Sequence, residues 1–395
     1  MMIRKKIDAS LLLFIIIAIF LMAVMMKSVV EMYITEVYNP KYYIYQALLY
    51  CLGGFVVIKN RKTIQVGGYI RLIWAFSILC FLFSFIRLDS FNARSIIALF
   101  FNSFIILLAY LNGIWFGDRL SSLKDRDWYL LLLLIPALYS MYLLRSYNSL
   151  GNWFDADAAF SVIVFFPFVF FFKRNWLSVL LALLFVVFSL IAAKRSILIF
   201  VIVCIAFYSI YRIFLNRKKR NSNLISRLLI LMIIIFGSYY ILTNESSGLM
   251  HTQERTERLG GITFDNGRYD IYSKVSSAIL NAEAIPFLFG HGHAAVKRDF
   301  GIGAHNDFLE IGYDYGIIVA LIYICIILYF FTKALRLIKQ KEYQSAMWLG
   351  ISISSIFILG MLNCIITSSV LEYTMFLALG CALGMNERPN PNDQG

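Results

Sequence analysis

The sequence predicts an all-α, polytopic membrane protein of about twelve transmembrane helices with one large outer loop. Three observations carry that expectation. First, of 395 residues 60% are hydrophobic and only 15% charged, against about 45–50% and about 25% in soluble globular domains. Second, the apolar residues fall into runs close to the ~20 residues that a crossing helix needs. Third, the cations are divided unevenly between alternate connections.

Taken in order, the first run spans Asp8 to Met26. It follows MMIRKK as a signal peptide would, but AVMMKS supplies no small-residue cleavage site, so it is read as a retained first helix. Further runs span Tyr42 to Ile58, Gly67 to Ile86, Ser95 to Trp115, Trp128 to Leu144 and Ala158 to Phe172. Trp176 to Ala193, Ser196 to Leu215, Leu228 to Leu242, Tyr315 to Thr332, Ser345 to Ile366 and Tyr373 to Met385 complete the set. With both termini in the cytoplasm, the inner connections hold cation clusters such as Lys59, Arg61 and Lys62, Lys173 and Arg174, and Arg217, Lys218, Lys219 and Arg220. The short outer loops hold few, among them Lys27, Arg87 and Arg145. This positive-inside pattern accounts for most of the net charge of +13 and makes nucleic acid an unneeded partner. All six cysteines lie in apolar runs, with no disulfide framework and no zinc spacing.

The chain therefore divides into 1–242 (nine helices), 243–314 (a large outer loop), 315–385 (three helices) and a polar cytoplasmic tail, 386–395. All four histidines, His251, His291, His293 and His305, lie in the loop. A segment that long is functional or disordered, and stretches such as RYDIYSKVSSAIL and IPFLFGHGH are too apolar for simple disorder. From Arg268, the residues Ile271, Val275, Ala278 and Ile279 recur at helical spacing, which predicts an amphipathic helix on the membrane surface. A second short helix is expected near His305, where Asp307 and Glu310 have capping-box spacing.

Several residues are candidates for chemistry. Lys194-Arg195 marks a tight outer turn between two apolar runs. Either both side chains snorkel at the interface, or the guanidinium grips a phosphate, which its planar fork suits. Arg268 opens the loop helix, where unpaired backbone N–H groups favour anions; the alternative is pairing with Asp265 or Asp270. His305, in GIGAHNDFLE, is the best candidate general base because imidazole titrates near neutrality; the alternative is a helix-entry residue bonded to backbone. His291, His293, His305 and Asp299 could surround zinc, but histidines two apart between glycines occur in ordinary turns, and no HExxH or cysteine pair accompanies them, so no metal is expected. No Walker A sequence is present, which argues against ATP as fuel. The span interiors are read as free of Asp, Glu and His, which argues against a proton-relay transporter.

Together, AAKRSILIF, NGRYDIY and GAHNDFLEIGYDYGI, in that order around a large outer loop, resemble the bacterial O-antigen polymerase and ligase family. The resemblance spans about Ala192 to Phe331; the first six runs match only as a hydrophobic pattern. It implies a GT-C-like fold and metal-independent, cofactor-free, inverting glycosyl transfer from an undecaprenyl-pyrophosphate-linked oligosaccharide at the outer face of the bacterial inner membrane. It also implies, as partners, membrane lipid and a chain-length regulator protein. By the same resemblance Arg195 and Arg268 bind the donor pyrophosphate and His305 activates the acceptor; beside them, Lys194 is a candidate further phosphate contact, and Tyr269, Tyr272, Asp307 and Glu310 are candidates for orienting the sugar or the histidine. Many members have serine or threonine where this chain has Lys194. Polymerase is the favoured activity and ligase the alternative. A lipid-linked-oligosaccharide flippase, which would not need His305, or an envelope scaffold would belong to other classes.

Overall fold

The computed structural model describes residues 9–35, 41–62, 64, 70–87, 93–123, 125–148, 159–191, 195–215, 268–362 and 369–385. The ninth run, Leu228 to Leu242, together with Lys194, His251, the whole of the loop before Arg268 and the tail 386–395, lies outside the described residues. Every regular element among those described is a helix. They are α1 (Ala9–Thr35), α2 (Lys41–Asn60), α3 (Ile70–Ile86), α4 (Ala93–Ser122), α5 (Arg126–Leu133), α6 (Ile135–Asn148), α7 (Phe160–Ile163), a 3-10 helix (Phe166–Phe171), α8 (Asn175–Ile191) and α9 (Arg195–Leu215). After the undescribed stretch come α10 (Arg268–Leu280), α11 (Ala284–Phe289), α12 (Ala295–Phe300), α13 (Asp307–Asp314), α14 (Ile317–Lys339), α15 (Tyr343–Leu362) and α16 (Ser369–Gly384). Among the described residues six segments are long and apolar enough to cross a membrane: Leu11–Ser28, Tyr42–Asn60, Leu99–Ser122, Arg126–Leu144, Ile317–Lys339 and Tyr343–Leu362. Among the described residues the protein is all-helical, with apolar helices of the length and composition of membrane spans.

Prolines explain two departures from uniform α-helix. Pro136 lacks an N–H and crowds the carbonyl four residues back, so the segment Arg126–Leu144 breaks at Leu134 into α5 and α6. Pro167 acts likewise: the run expected as a sixth crossing forms one turn of α-helix and then a 3-10 helix, and every residue from Phe160 to Phe172 is buried. It is a core element of twelve helical and linking residues, Phe160–Phe171, shorter than any of the six segments long enough to cross a membrane.

The chain forms two compact units. One comprises Met1–Gly68, Phe104–Ala182 and Ser369–Gly395. Within it α4 and α16 approach backbone to backbone. Gly113 and Gly117 on α4 face the carbonyls of Leu377 and Cys381, while Gly380 and Gly384 on α16 face those of Tyr110 and Ile114, and a Cβ at any of the four would collide. Positions rise together along both helices, so the pair runs parallel. Two G-x-x-x-G motifs thus make the kind of close crossing found between membrane helices. The buried Asp127, in the first turn of α5, accepts from the backbone N–H of Lys173 (2.7 Å) and of Arg174 (3.1 Å). The connections before α5 and after the 3-10 helix therefore share one end of the unit. Glu372, placed by the sequence just outside the last run, lies instead in the first turn of α16 and is buried, as are Gln46 and Asn112. The expectation of acid-free span interiors is corrected accordingly.

The second unit comprises Tyr69–Ser103 and Leu183–Ser368. Here α14 and α15 form a hairpin. Phe76 of α3 packs on Tyr323 of α14 with ring centroids 5.6 Å apart, and Cys204 of α9 lies 3.8 Å from Ser355 of α15. Four short helices, α10 to α13, form a cap at one end of this unit. Their own small core contains Ile271, Val275, Ala295, Val296, Ala304 and Tyr313, with Ala278 and Ile279 packed against it. The apolar stripe beginning at Arg268 is real, but it faces this core. The sequence placed it on a membrane surface because periodicity reports an apolar face without reporting what covers it.

Candidate functional site

The residues that flank His305 are fastened individually. Asn306 is the N-cap of α13, its Oδ1 accepting from Phe308 N–H (3.0 Å) and Leu309 N–H (3.3 Å). Its Nδ2 donates to the Met361 carbonyl at the end of α15 (3.3 Å). Asn306, rather than the Asp307 and Glu310 pair, is therefore the cap. The Glu310 carboxylate reaches past the cap and accepts from Ala304 N–H (2.6 Å). Gly303 makes room for it, since a Cβ there would lie 2.8 Å from Glu310 Oε1.

Between these anchors His305 sits half-buried with φ +53°, in the left-handed region that a β-carbon disfavours. Its carbonyl accepts from the Tyr272 hydroxyl on α10 (3.3 Å). Asp307 is fully buried and accepts from Tyr323 OH (3.2 Å), filling space left by the absent side chain of Gly360. Both loop carboxylates named from the sequence are thus engaged inward, holding backbone and helices, and Tyr269 is exposed on α10.

The other described histidines have separate surroundings. His293 Nδ1 lies 2.8 Å from Tyr315 OH, and its Nε2 lies 3.1 Å from Nδ2 of Asn102 on α4. Because the Asn102 amide nitrogen can only donate, Nε2 accepts and Nδ1 carries the proton. Burial lowers the His293 pKa to about 4. His291 stacks on Tyr313 with centroids 4.2 Å apart, and burial, aided by Arg87 and Arg298, lowers its pKa as well. Tyr313 donates to Asp299 (3.0 Å), which Arg298 grips from the other side (2.8 Å) and holds in its ionised form. Asp314 accepts from Val296 N–H (2.9 Å) at the start of α12, yet burial pushes its pKa up to about 8. Among the described residues no three or more His, Cys, Asp or Glu side chains gather where a metal could bind.

The structure places Arg268 as the first residue of α10, one turn before Tyr272, and so brings its backbone to the His305 clamp. Arg195 is the first residue of α9. The side chains of both arginines, and all of Lys194, lie outside the described residues. Sequence reasoning missed Asn306, Asn102, Tyr323 and Asp314. Only Asn306 had a readable signal, an asparagine directly before a helical run.

Among the described residues, the fold and this site define an all-helical protein with apolar, membrane-type helices and a helical cap that holds one histidine in a fixed backbone conformation. No family model matches the chain, and no curated protein matches it.

Proposed function

We propose that the chain is a surface-polysaccharide polymerase of the O-antigen type, joining undecaprenyl-pyrophosphate-linked repeat units at the outer face of the bacterial inner membrane. About twelve crossings in a GT-C-like arrangement, with both termini cytoplasmic, go with this reading. The observation that carries it is the His305 clamp. A half-exposed imidazole is held in a left-handed backbone by Tyr272, and by Glu310 and Asn306 acting on its neighbours. Backbone strain of this kind costs on the order of 1–3 kcal/mol and persists where surrounding contacts impose it, commonly at active sites.

In the reaction, an acceptor sugar hydroxyl loses its proton to His305 while its oxygen bonds to the anomeric carbon of the donor. The bond from that carbon to the pyrophosphate oxygen breaks, and undecaprenyl pyrophosphate departs with the bonding pair. Arg195 and Arg268 supply the counter-charge for the leaving group. With the base opposite the leaving group, the configuration inverts.

Purified protein given lipid-linked repeat units tests this directly. Longer undecaprenyl-linked chains are the expected product. Transfer only when lipid A core is added would make the protein a ligase, and no transfer with either acceptor would overturn the proposal. A flippase reading draws on one observation, the buried Glu372, Gln46 and Asn112, because polar groups inside membrane bundles mark transport pathways. It is separated by showing donor translocation without glycosidic bond formation.

A further inference from the structure

Among the described residues the cap leaves an apolar surface uncovered at Leu280 and α11, distinct from the stripe on α10. No residue of α11 is buried: Ile285 is 62% exposed and Leu288 37%, and Leu280, ending α10, is 76% exposed. The outward face of α10 before Leu280 is polar, with Ser273, Lys274 and Ser277 exposed. The depth of α11 follows from its neighbour. The Phe289 ring packs edge-on against Phe83 of α3, centroids 4.9 Å apart, one turn before α3 ends at Ile86.

An apolar helix of 17 residues is about 26 Å long, less than the ~30 Å of bilayer hydrocarbon. An α3 that enters the bilayer from its far end would hold Phe83, and the ring against it, at or inside the hydrocarbon boundary. Trp74, Ile78, Leu82 and Ile86 form an exposed stripe along α3 that leads to this point. Arg87 follows, packed against Gly292, as a cation at headgroup level.

We propose that Leu280 and α11 form an interfacial foot, inserting Ile285 and Leu288 into the boundary between headgroups and acyl chains of the bilayer that α3 enters. Lipid is the occupant because the surface continues a lipid-facing helix stripe at the depth where that helix ends. The foot hangs the cap at headgroup height. It requires only the membrane character of the helices and stands whether or not His305 is a base.

The test uses the full-length protein in nanodiscs of phosphatidylethanolamine and phosphatidylglycerol. The photoreactive residue benzoylphenylalanine replaces Ile285, Leu288 or, as a solvent-facing control, Lys274, and adducts after irradiation are identified by mass spectrometry. Lipid adducts at 285 and 288 about tenfold above those at 274 are expected for side chains among acyl chains. Lipid labelling no greater than at 274 would overturn the proposal. So would a crosslink at 285 or 288 to a second copy of the chain, or to another protein when the experiment is repeated in cells.

Discussion

The Tyr272 hydroxyl donates to the main-chain carbonyl of His305 across 3.3 Å, joining the first helix of the cap to the one described histidine whose backbone is left-handed. Tyr272→Phe keeps the ring and removes this bond, a loss of about 0.5–1.5 kcal/mol. Polymerisation rate is expected to fall with little change in donor affinity, because the imidazole loses its support without losing its place. A rate equal to wild type in a single-turnover assay would remove Tyr272 from the account.

Glu310→Ala leaves the buried Ala304 N–H without its acceptor. Thermal unfolding in detergent should show a loss of about 1–3 kcal/mol. Glu310→Gln, which keeps an acceptor oxygen, should recover most of it; equal losses in both variants would mean that charge rather than the hydrogen bond holds the loop.

The α4 and α16 crossing should be intolerant of side chains. Gly117→Leu is expected to destabilise by about 1–3 kcal/mol or more through overpacking. Gly54 has open space around its missing Cβ, so Gly54→Ala should be neutral or stabilising by up to about 1 kcal/mol. Comparable melting shifts in the two variants would sink the close-crossing interpretation.

Two of the contributions to the pH dependence of stability, those of His293 and Asp314, oppose each other. His293 has its pKa lowered to about 4, so its contribution is present above the unfolded value of about 6.5 and is lost as pH falls toward 4. Asp314 has its pKa raised to about 8, so its contribution is present below about 3.9 and is lost as pH rises through 8. Between about pH 4 and 6.5 they offset; above that only Asp314 acts, and stability should decline. Asp314→Asn should flatten the decline between pH 6.5 and 8 in melting experiments, and an unchanged slope would contradict this assignment.

The long apolar runs were legible because hydrophobicity over about twenty residues leaves few alternatives to a crossing helix. The start of α10 at Arg268 and the helix after His305 were also legible, the first from a periodic stripe and the second from the spacing of Asp307 and Glu310, although the cap itself is Asn306. What covers the stripe was not: Ile271 and Val275 meet Ala295 and Tyr313, partners 20 and more residues away that no local pattern identifies. The two G-x-x-x-G motifs were present in the sequence, yet their pairing depends on helices far apart in the chain. The 3-10 helix at Phe166–Phe171 was masked by its hydrophobicity, although Pro167 was there to be read. Around His305, the sequence named Tyr272 and Glu310 without indicating that both act on backbone.

If Arg195 and Arg268 grip a pyrophosphate, lysine at either place should impair transfer, since a point charge cannot reproduce a bidentate fork. Full activity in both Arg195→Lys and Arg268→Lys, assayed with lipid-linked repeat units, would eliminate the arginine mechanism.

The most direct test of the central claim is glycan analysis of a strain lacking its own copy of this gene, complemented with wild type or with His305→Ala at equal membrane abundance. Lipid-A-linked and undecaprenyl-linked material would be resolved by chain length. The account predicts long chains with wild type and single repeat units on lipid A with His305→Ala. A normal long-chain ladder in the variant would contradict it and remove His305 from catalysis.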